Sequence, residues 1–429
     1  MASCECMKPE LDLFSPAVIQ RSVEHGYWVE HTPTSAVTGT GPIEFKISGE
    51  GEEYLDLQHT YLNVETKIVQ ADGSDLPENA AVAPVNLLLQ SMFSQVDVSL
   101  NEKLITPSTN TYPYRAYLET LLSYGPAAKD SWLQCELWHK DTSGQMESLT
   151  ERNHGWQERS VYAAQSQEMD LMGKLHVDLL HQDRYLLNKV DMKIRLVRSP
   201  SEFVVMAQGD QTYKVIITDI SLLVRKVKLN ALLLEAHMKA LEKGSVKYPV
   251  RRMMTKVFSV PQGNLTGNED NLFSGQLPQR IIIGCVDNDA FNGTWNKNPF
   301  NFKHFDINFM ALYVGGHQIP GKPLQPNFEK NKFVRCYHSL FSALNKAGQD
   351  EGNYISRKEY PEGYTLFAFD LTPDLEVEGH FNTPRAGPMR LALRFARPLP
   401  QTINVIVLGE FENTIEIDRD RNILFDYMN

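Results

Sequence analysis

Val98-Ser99-Leu100-Asn101-Glu102-Lys103-Leu104-Ile105 reads as a strand, a polar turn and a return strand. The same piece recurs 214 positions later (98 to 312) as Leu312-Tyr313-Val314-Gly315-Gly316-His317-Gln318-Ile319. A helix-like stretch follows each copy: Tyr114-Arg115-Ala116-Tyr117-Leu118-Glu119-Thr120-Leu121, then Val334-Arg335-Cys336-Tyr337-His338-Ser339-Leu340-Phe341. There Arg115 and Tyr117 match Arg335 and Tyr337 at an offset of 220. Each half also closes on two alternating strands, near 190–197 and 213–224, then near 389–396 and 403–411. Several matches in one order at similar offsets imply a duplicated unit.

Alternation with a period of two runs through both halves. Ile43-Glu44-Phe45-Lys46-Ile47-Ser48 sends three apolar side chains to one face and three polar ones to the other. Val96-Asp97-Val98, Met192-Lys193-Ile194-Arg195-Leu196, Leu391-Ala392-Leu393-Arg394-Phe395 and Ile415-Glu416-Ile417 do the same. Many short strands with few helices predict sandwiches or barrels. A module of about 190 residues exceeds the roughly 100 of an immunoglobulin-like sandwich and suits an eight-stranded jelly roll with insertions. One segment departs from the pattern. Asn230 is a helix cap, with Leu232, Leu233, Ala236, Ala240 and Leu241 at helical spacing, Lys243 in the last turn and Gly244 beyond it. The expected organisation is an irregular arm over 1–40, a first jelly roll over 41–228, a connecting helix over 229–244 and a second jelly roll over 245–429.

The bulk numbers agree with two globular β modules. The chain has 429 residues, 42% hydrophobic and 22% charged, with 26 Gly and 23 Pro for turns. A net charge of −11 argues against gripping nucleic acid over the whole surface, since phosphate binding runs on Lys and Arg. The five cysteines (4, 6, 135, 285 and 336) lack zinc spacing and read as thiols of a reducing compartment. Residues 1–16 lack the basic and long apolar regions of a signal peptide, and no apolar run approaches 18 residues. The sequons at Asn264 and Asn292 are therefore expected to be plain loops.

Three further stretches carry a resemblance. The first is Val85-Asn86-Leu87-Leu88-Leu89-Gln90-Ser91-Met92-Phe93-Ser94-Gln95-Val96-Asp97-Val98-Ser99-Leu100-Asn101, with Asn110-Thr111-Tyr112-Pro113-Tyr114-Arg115 after it. The second is the junction from Ile220-Ser221-Leu222-Leu223-Val224 through the mid-chain helix to Val246-Lys247-Tyr248-Pro249-Val250. The third is Phe369-Asp370-Leu371-Thr372-Pro373 followed by Gly379-His380-Phe381-Asn382-Thr383-Pro384-Arg385, where Thr383-Pro384 stands in place of the commoner Ser. Over roughly residues 40–429 the chain resembles the double jelly-roll major capsid proteins of large DNA viruses and of Polinton (Maverick) elements. The resemblance implies a homotrimer whose six jelly rolls make a pseudo-hexagonal capsomer of an icosahedral shell. It implies neighbouring capsomers and a vertex (penton) protein as partners, contact with packaged DNA only indirectly, no cofactor, no enzymatic activity, and a place in the virion of a protein made inside the host cell and not secreted.

A search for chemistry returns little. Glu50/Glu52/Glu53, Asp287/Asp289 and Glu376/Glu378 are sequence neighbours, and a hydrolase needs two acids facing each other across a cleft. No G-x-S-x-G, H-E-x-x-H or P-loop occurs, and His25/His31 and His176/His181 lack metal spacing. Catalytic, cofactor and metal residues are therefore expected to be none. Three groups suggest contacts. The arm holds Phe14, Tyr27 and Trp28, which either pack on their own module or reach a neighbouring subunit or inner-shell component. Phe300, Phe302 and Phe305 belong to an aromatic-rich stretch, readable as core packing or as subunit surface. Arg225, Lys226, Lys228, Arg251 and Arg252 concentrate positive charge at the module junction. They either form a patch towards the shell interior or pair locally. A β-sandwich carbohydrate hydrolase or glycan-binding protein is the rival class. The acids at 287, 289, 376 and 378 would then have to meet.

Overall fold

The computed structural model describes residues 13, 17, 19–208, 211–350, 352–375 and 380–426. Where the sequence alternates, it forms strands. Ile43, Phe45 and Ile47 are fully buried while Glu44 and Lys46 turn to the other face, so Ile43–Ile47 is an amphipathic strand. The first half contains eight such principal strands: β1 (Val23–His31), β2 (Ile43–Ile47), β3 (Tyr54–Gln70), β4 (Phe93–Leu100), β5 (Lys103–Leu104), β6 (Met169–Gly173), β7 (Met192–Arg198) and β8 (Tyr213–Leu229). The second half contains β9 (Val246–Val260), β10 (Thr266–Glu269), β11 (Arg280–Asp287), β12 (Ile307–Val314), β13 (His317–Leu324), β14 (Leu366–Asp370), β15 (Met389–Phe395) and β16 (Ile403–Ile417).

Apart from a short fifth strand, Ile423–Phe425, that pairs with β16, the sheet orders match strand for strand. The first module has β1-β8-β3-β6 and β2-β7-β4-β5; the second has β9-β16-β11-β14 and β10-β15-β12-β13. All the ladders within these sheets are antiparallel. Adding eight to each strand number turns one module into the other, so the chain is two jelly rolls in tandem. In the first, Phe45, Val98 and Ile194 from one sheet share a core with Leu62, Val64 and Leu222 from the other. Met310, Leu312 and Leu393 face Ile281, Ile283 and Val405 in the same way in the second.

The paired hairpins explain the 214-position match. Leu100 pairs with Lys103 and Val314 with His317, leaving two central residues in each turn. All four are left-handed: Asn101 (φ 46°), Glu102 (φ 63°), Gly315 (φ 55°) and Gly316 (φ 85°). That is the geometry whose twist suits a two-residue hairpin. Glycine adopts it freely; Asn101 is held there by accepting from the Asp191 amide (2.8 Å) and donating to the Arg421 carbonyl (2.9 Å).

Four helices matter for function: α1 (Tyr112–Ser123), α2 (His154–Ala163), α3 (Ala231–Leu241) and α4 (Val334–Ser342). The two helix-like stretches of the repeat are α1 and α4. The connecting helix α3 is capped by the Asn230 side chain, which accepts from the Leu232 amide at 2.9 Å. Its inward face differs from the one expected. Leu232 is 77% exposed, and Leu233, Leu234, Met238 and Leu241 pack inward instead. Positions 234, 238 and 241 make the tighter helical stripe.

The arm also differs from expectation. Val23–His31 is the edge strand β1, bonded along β8 from Val23 opposite Leu229 to His31 opposite Leu222. The first jelly roll therefore begins well before residue 41, and β1 is the counterpart of β9.

Candidate functional site

The two modules meet along a buried seam within the chain. Helix α1 lies on the outer face of the second module's β9-β16-β11 sheet. Leu118, Glu119 and Leu122 of the helix line a small cavity together with Met253, Ile282 and Leu408 of that sheet. Ile282 and Leu408 are consequently buried although they point away from their own module's core. At the upper end of the seam Tyr117 stacks flat on Phe300 with ring centroids 4.2 Å apart, and Tyr114 meets Phe291, Phe300 and Phe302.

Polar groups cross the same seam. Asp141, fully buried, accepts from Arg159 Nη2 at 2.7 Å and from the Asn153 and Asn298 amides at 2.9 Å each. The Tyr364 hydroxyl donates to the Asp141 carbonyl at 2.6 Å. Asn298 and Tyr364 belong to the second module, so one carboxylate residue ties both. Nearby, Arg115 donates to Glu119 (2.9 Å) and Asp178 (2.6 Å), and Asp178 accepts from the Met253 amide (3.1 Å) of β9. Burial raises the Glu119 pKa, but Arg115 and His176 outweigh it and hold the carboxyl well below its ordinary range.

The residues singled out from sequence scatter. Phe300 and Phe302 are fully buried within the single chain. Their aromatic faces are spent on Tyr114 and Tyr117 of the first module. Phe305 is half-buried beside a polar cleft of about 660 Å³. Phe14 lies outside the described residues. Tyr27 donates to Glu53 at 2.6 Å, whereas Trp28 is 47% exposed on the outer face of β1, its ring 5.6 Å from Tyr61.

The junction cations are largely engaged within the chain. Arg225 donates to Asp56 at 2.6 Å, Lys226 stands 4.0 Å from Glu53 and Arg251 3.8 Å from Glu410. Arg252, 4% exposed, donates to Asn413 at 3.0 Å and lies over the Phe411 ring. Lys228 is exposed. A cleft of about 650 Å³ opens under α3, lined by Val23, Tyr54, Leu229, Leu233, Leu241 and Tyr248.

Of the four acids in the hydrolase reading, two lie within the described residues. Asp287 is 2% exposed and salt-bridged to Lys303 at 2.7 Å, while the Asp289 side chain is 65% exposed and faces Lys297 at 3.4 Å. Glu376 and Glu378 lie outside the described residues. Among the described residues no three His, Cys, Asp or Glu side chains are grouped to hold a metal, and no helix is long and apolar enough to cross a membrane. Sequence reasoning missed Asp141, Arg159 and Asn298, because buried polar partners far apart in the chain leave no local pattern.

Two tandem jelly rolls locked by a polar and aromatic seam define the class: an all-β double jelly-roll protein. Solved structures of that shape include a chain of the Sputnik virophage particle, with a TM-score of 0.68 at 10% identity over 99% of this chain and 93% of that one. The Faustovirus major capsid protein gives 0.57 at 9% identity, over 94% of this chain and 92% of its own. The mavirus major capsid protein gives 0.52 at 11%, over 98% and 93% respectively. At these identities the likeness is one of fold. By sequence, an uncharacterized protein of Caenorhabditis elegans is 27% identical over 426 residues, 95% of this chain and 98% of that protein. No family model matches.

Proposed function

We propose that this chain is a structural major capsid protein of the Polinton (Maverick) and large DNA virus lineage, and that its activity is assembly rather than catalysis. Three copies form a homotrimeric, pseudo-hexameric capsomer, and capsomers tile an icosahedral virion shell together with a vertex protein. DNA touches the shell only indirectly, since most of the junction cations are already paired within the chain. The modules we assign are 23–229 and 245–426, joined by α3, with the residues before 23 as an arm.

One observation carries the reading: two modules with identical strand order lie side by side across a buried seam within one chain. Three such pairs give a six-sided outline from three-fold symmetry, which packs flat into a shell. A contact between different faces of like modules also repeats head to tail, and it closes into a ring of three where each step turns by a third of a circle.

Size-exclusion chromatography with light scattering on the purified chain is the first test. The expected mass is three chains, and negative-stain images should show hexagonal outlines. A species that stays monomeric at high concentration overturns the proposal.

A further inference from the structure

The two helices of the repeat have unequal surroundings. In α1 every residue except Glu119 and Ser123 is buried, because its own module covers one side and the second module's sheet covers the other. In α4 only Cys336 and Leu340 are buried; Val334 is 45% exposed, and Arg335 and His338 also face outward.

The sheets show the same inequality. On β11 and β16 nearly every residue is buried, on both faces, since α1 lies across them. On β3 burial alternates from Tyr61 to Lys67, so among the described residues its outer face stays only half-covered there. That face carries Trp28 at 47% exposure and Met172 at 39%, with Tyr61 beside Trp28. Aromatic and Met side chains of this kind are typical of interface centres.

We infer that the outward side of α4 in one copy docks on the outer β1-β8-β3-β6 face of a second copy, as α1 docks on β9-β16-β11 within the chain. The partner is the same protein, and the inference rests on the homotrimer reading while naming its interface. Charge supports the match. Across three neighbouring strands Asp219, Glu65 and Asp170 stand in one row, an arrangement of like charges that costs stability unless a cation approaches. Lys330, Lys332 and Arg335 stand exposed at the start of α4, where the Arg335 guanidinium also donates to the Lys322 (2.6 Å) and Pro323 (3.0 Å) carbonyls and so is held outward. Because the docking face and the docked face are different surfaces of each chain, the contact propagates in one direction and closes after three copies.

The test uses the full chain and light scattering. Val334→Glu and Met172→Glu alter side chains already exposed in the single chain, so folding should be retained, as circular dichroism and melting would verify. Both should lower the assembled mass threefold, while Leu265→Glu, at a 49% exposed position of the second module, should leave the trimer intact. Arg335→Glu should also dissociate the trimer, and adding Asp219→Arg should restore it, a rescue that misfolding would not produce. A wild-type trimer undisturbed by both apolar-face variants overturns this interface and leaves the trimer standing. Dissociation by Leu265→Glu as well overturns it too, since the effect is then not local. A monomeric wild type overturns the trimer reading itself.

Discussion

Lys129 carries its ammonium group into the seam with 1% exposure. It donates to the Leu121 carbonyl at 2.6 Å and, across the seam, to the Asn353 carbonyl at 2.8 Å, with the Trp138 ring beside it. Burial lowers its pKa from 10.5 to about 7. Between those two values the unfolded chain holds a proton that the folded chain has released, so folding stability rises with pH across the window. Below pH 7 both states are charged and the full cost of burying the charge remains. Lys129→Met abolishes this titration. Urea titrations of the two proteins from pH 7 to 10 should diverge in favour of wild type, at a slope of up to about 1.4 kcal/mol per pH unit. A constant difference across that range would show that Lys129 stays protonated in the fold.

Among the elements, α3 and β11 give the clearest tests. Helix α3 is mostly exposed, so its cap is a large part of what holds its first turn; Asn230→Ala should cost about 0.5–2 kcal/mol in a denaturant titration. On β11, a Cβ at Gly284 would sit 2.4 Å from Phe302 and 2.8 Å from Leu366. Gly284→Ala therefore overpacks the seam and should cost about 1–3 kcal/mol, with a melt unchanged from wild type as the contrary result. How far the sequence reveals such elements depends on the range of their causes. The twin hairpins were legible because turn chemistry and alternation are local, and so was α3, through Asn230. Strand β1 was not. It is an edge strand with a bulge between Val23 and His25, and its inward residues Tyr27, Val29 and His31 include one aliphatic side chain. The same limit separates Phe300 and Phe302 from Trp28: hydrophobicity says that a side chain wants cover, but only the tertiary path decides whether its own chain supplies it.

For the whole molecule, the seam decides whether two jelly rolls behave as one body. Asp141 draws Arg159 and Asn153 from the first module and Asn298 from the second onto a single buried carboxylate, directly beside the aromatic stack of Tyr117 on Phe300. Removing that carboxylate leaves the Arg159 guanidinium, itself 0% exposed, without its counter-charge, a change that costs about 3–5 kcal/mol in comparable buried pairs. Calorimetry of the wild-type chain should then show one cooperative transition. Asp141→Ala should destabilise it by about that amount and split the trace in two, as each module unfolds on its own. On the proposed capsomer reading, the split also bears on assembly. A six-sided outline needs the angle between the two modules to be the same in every copy, and a loosened seam should yield trimers of irregular outline before it yields unfolded protein. If Asp141→Ala keeps one sharp transition and uniform hexagonal particles, the apolar contacts of α1 with Ile282 and Leu408 suffice to set that angle, and the carboxylate is a local fastening only.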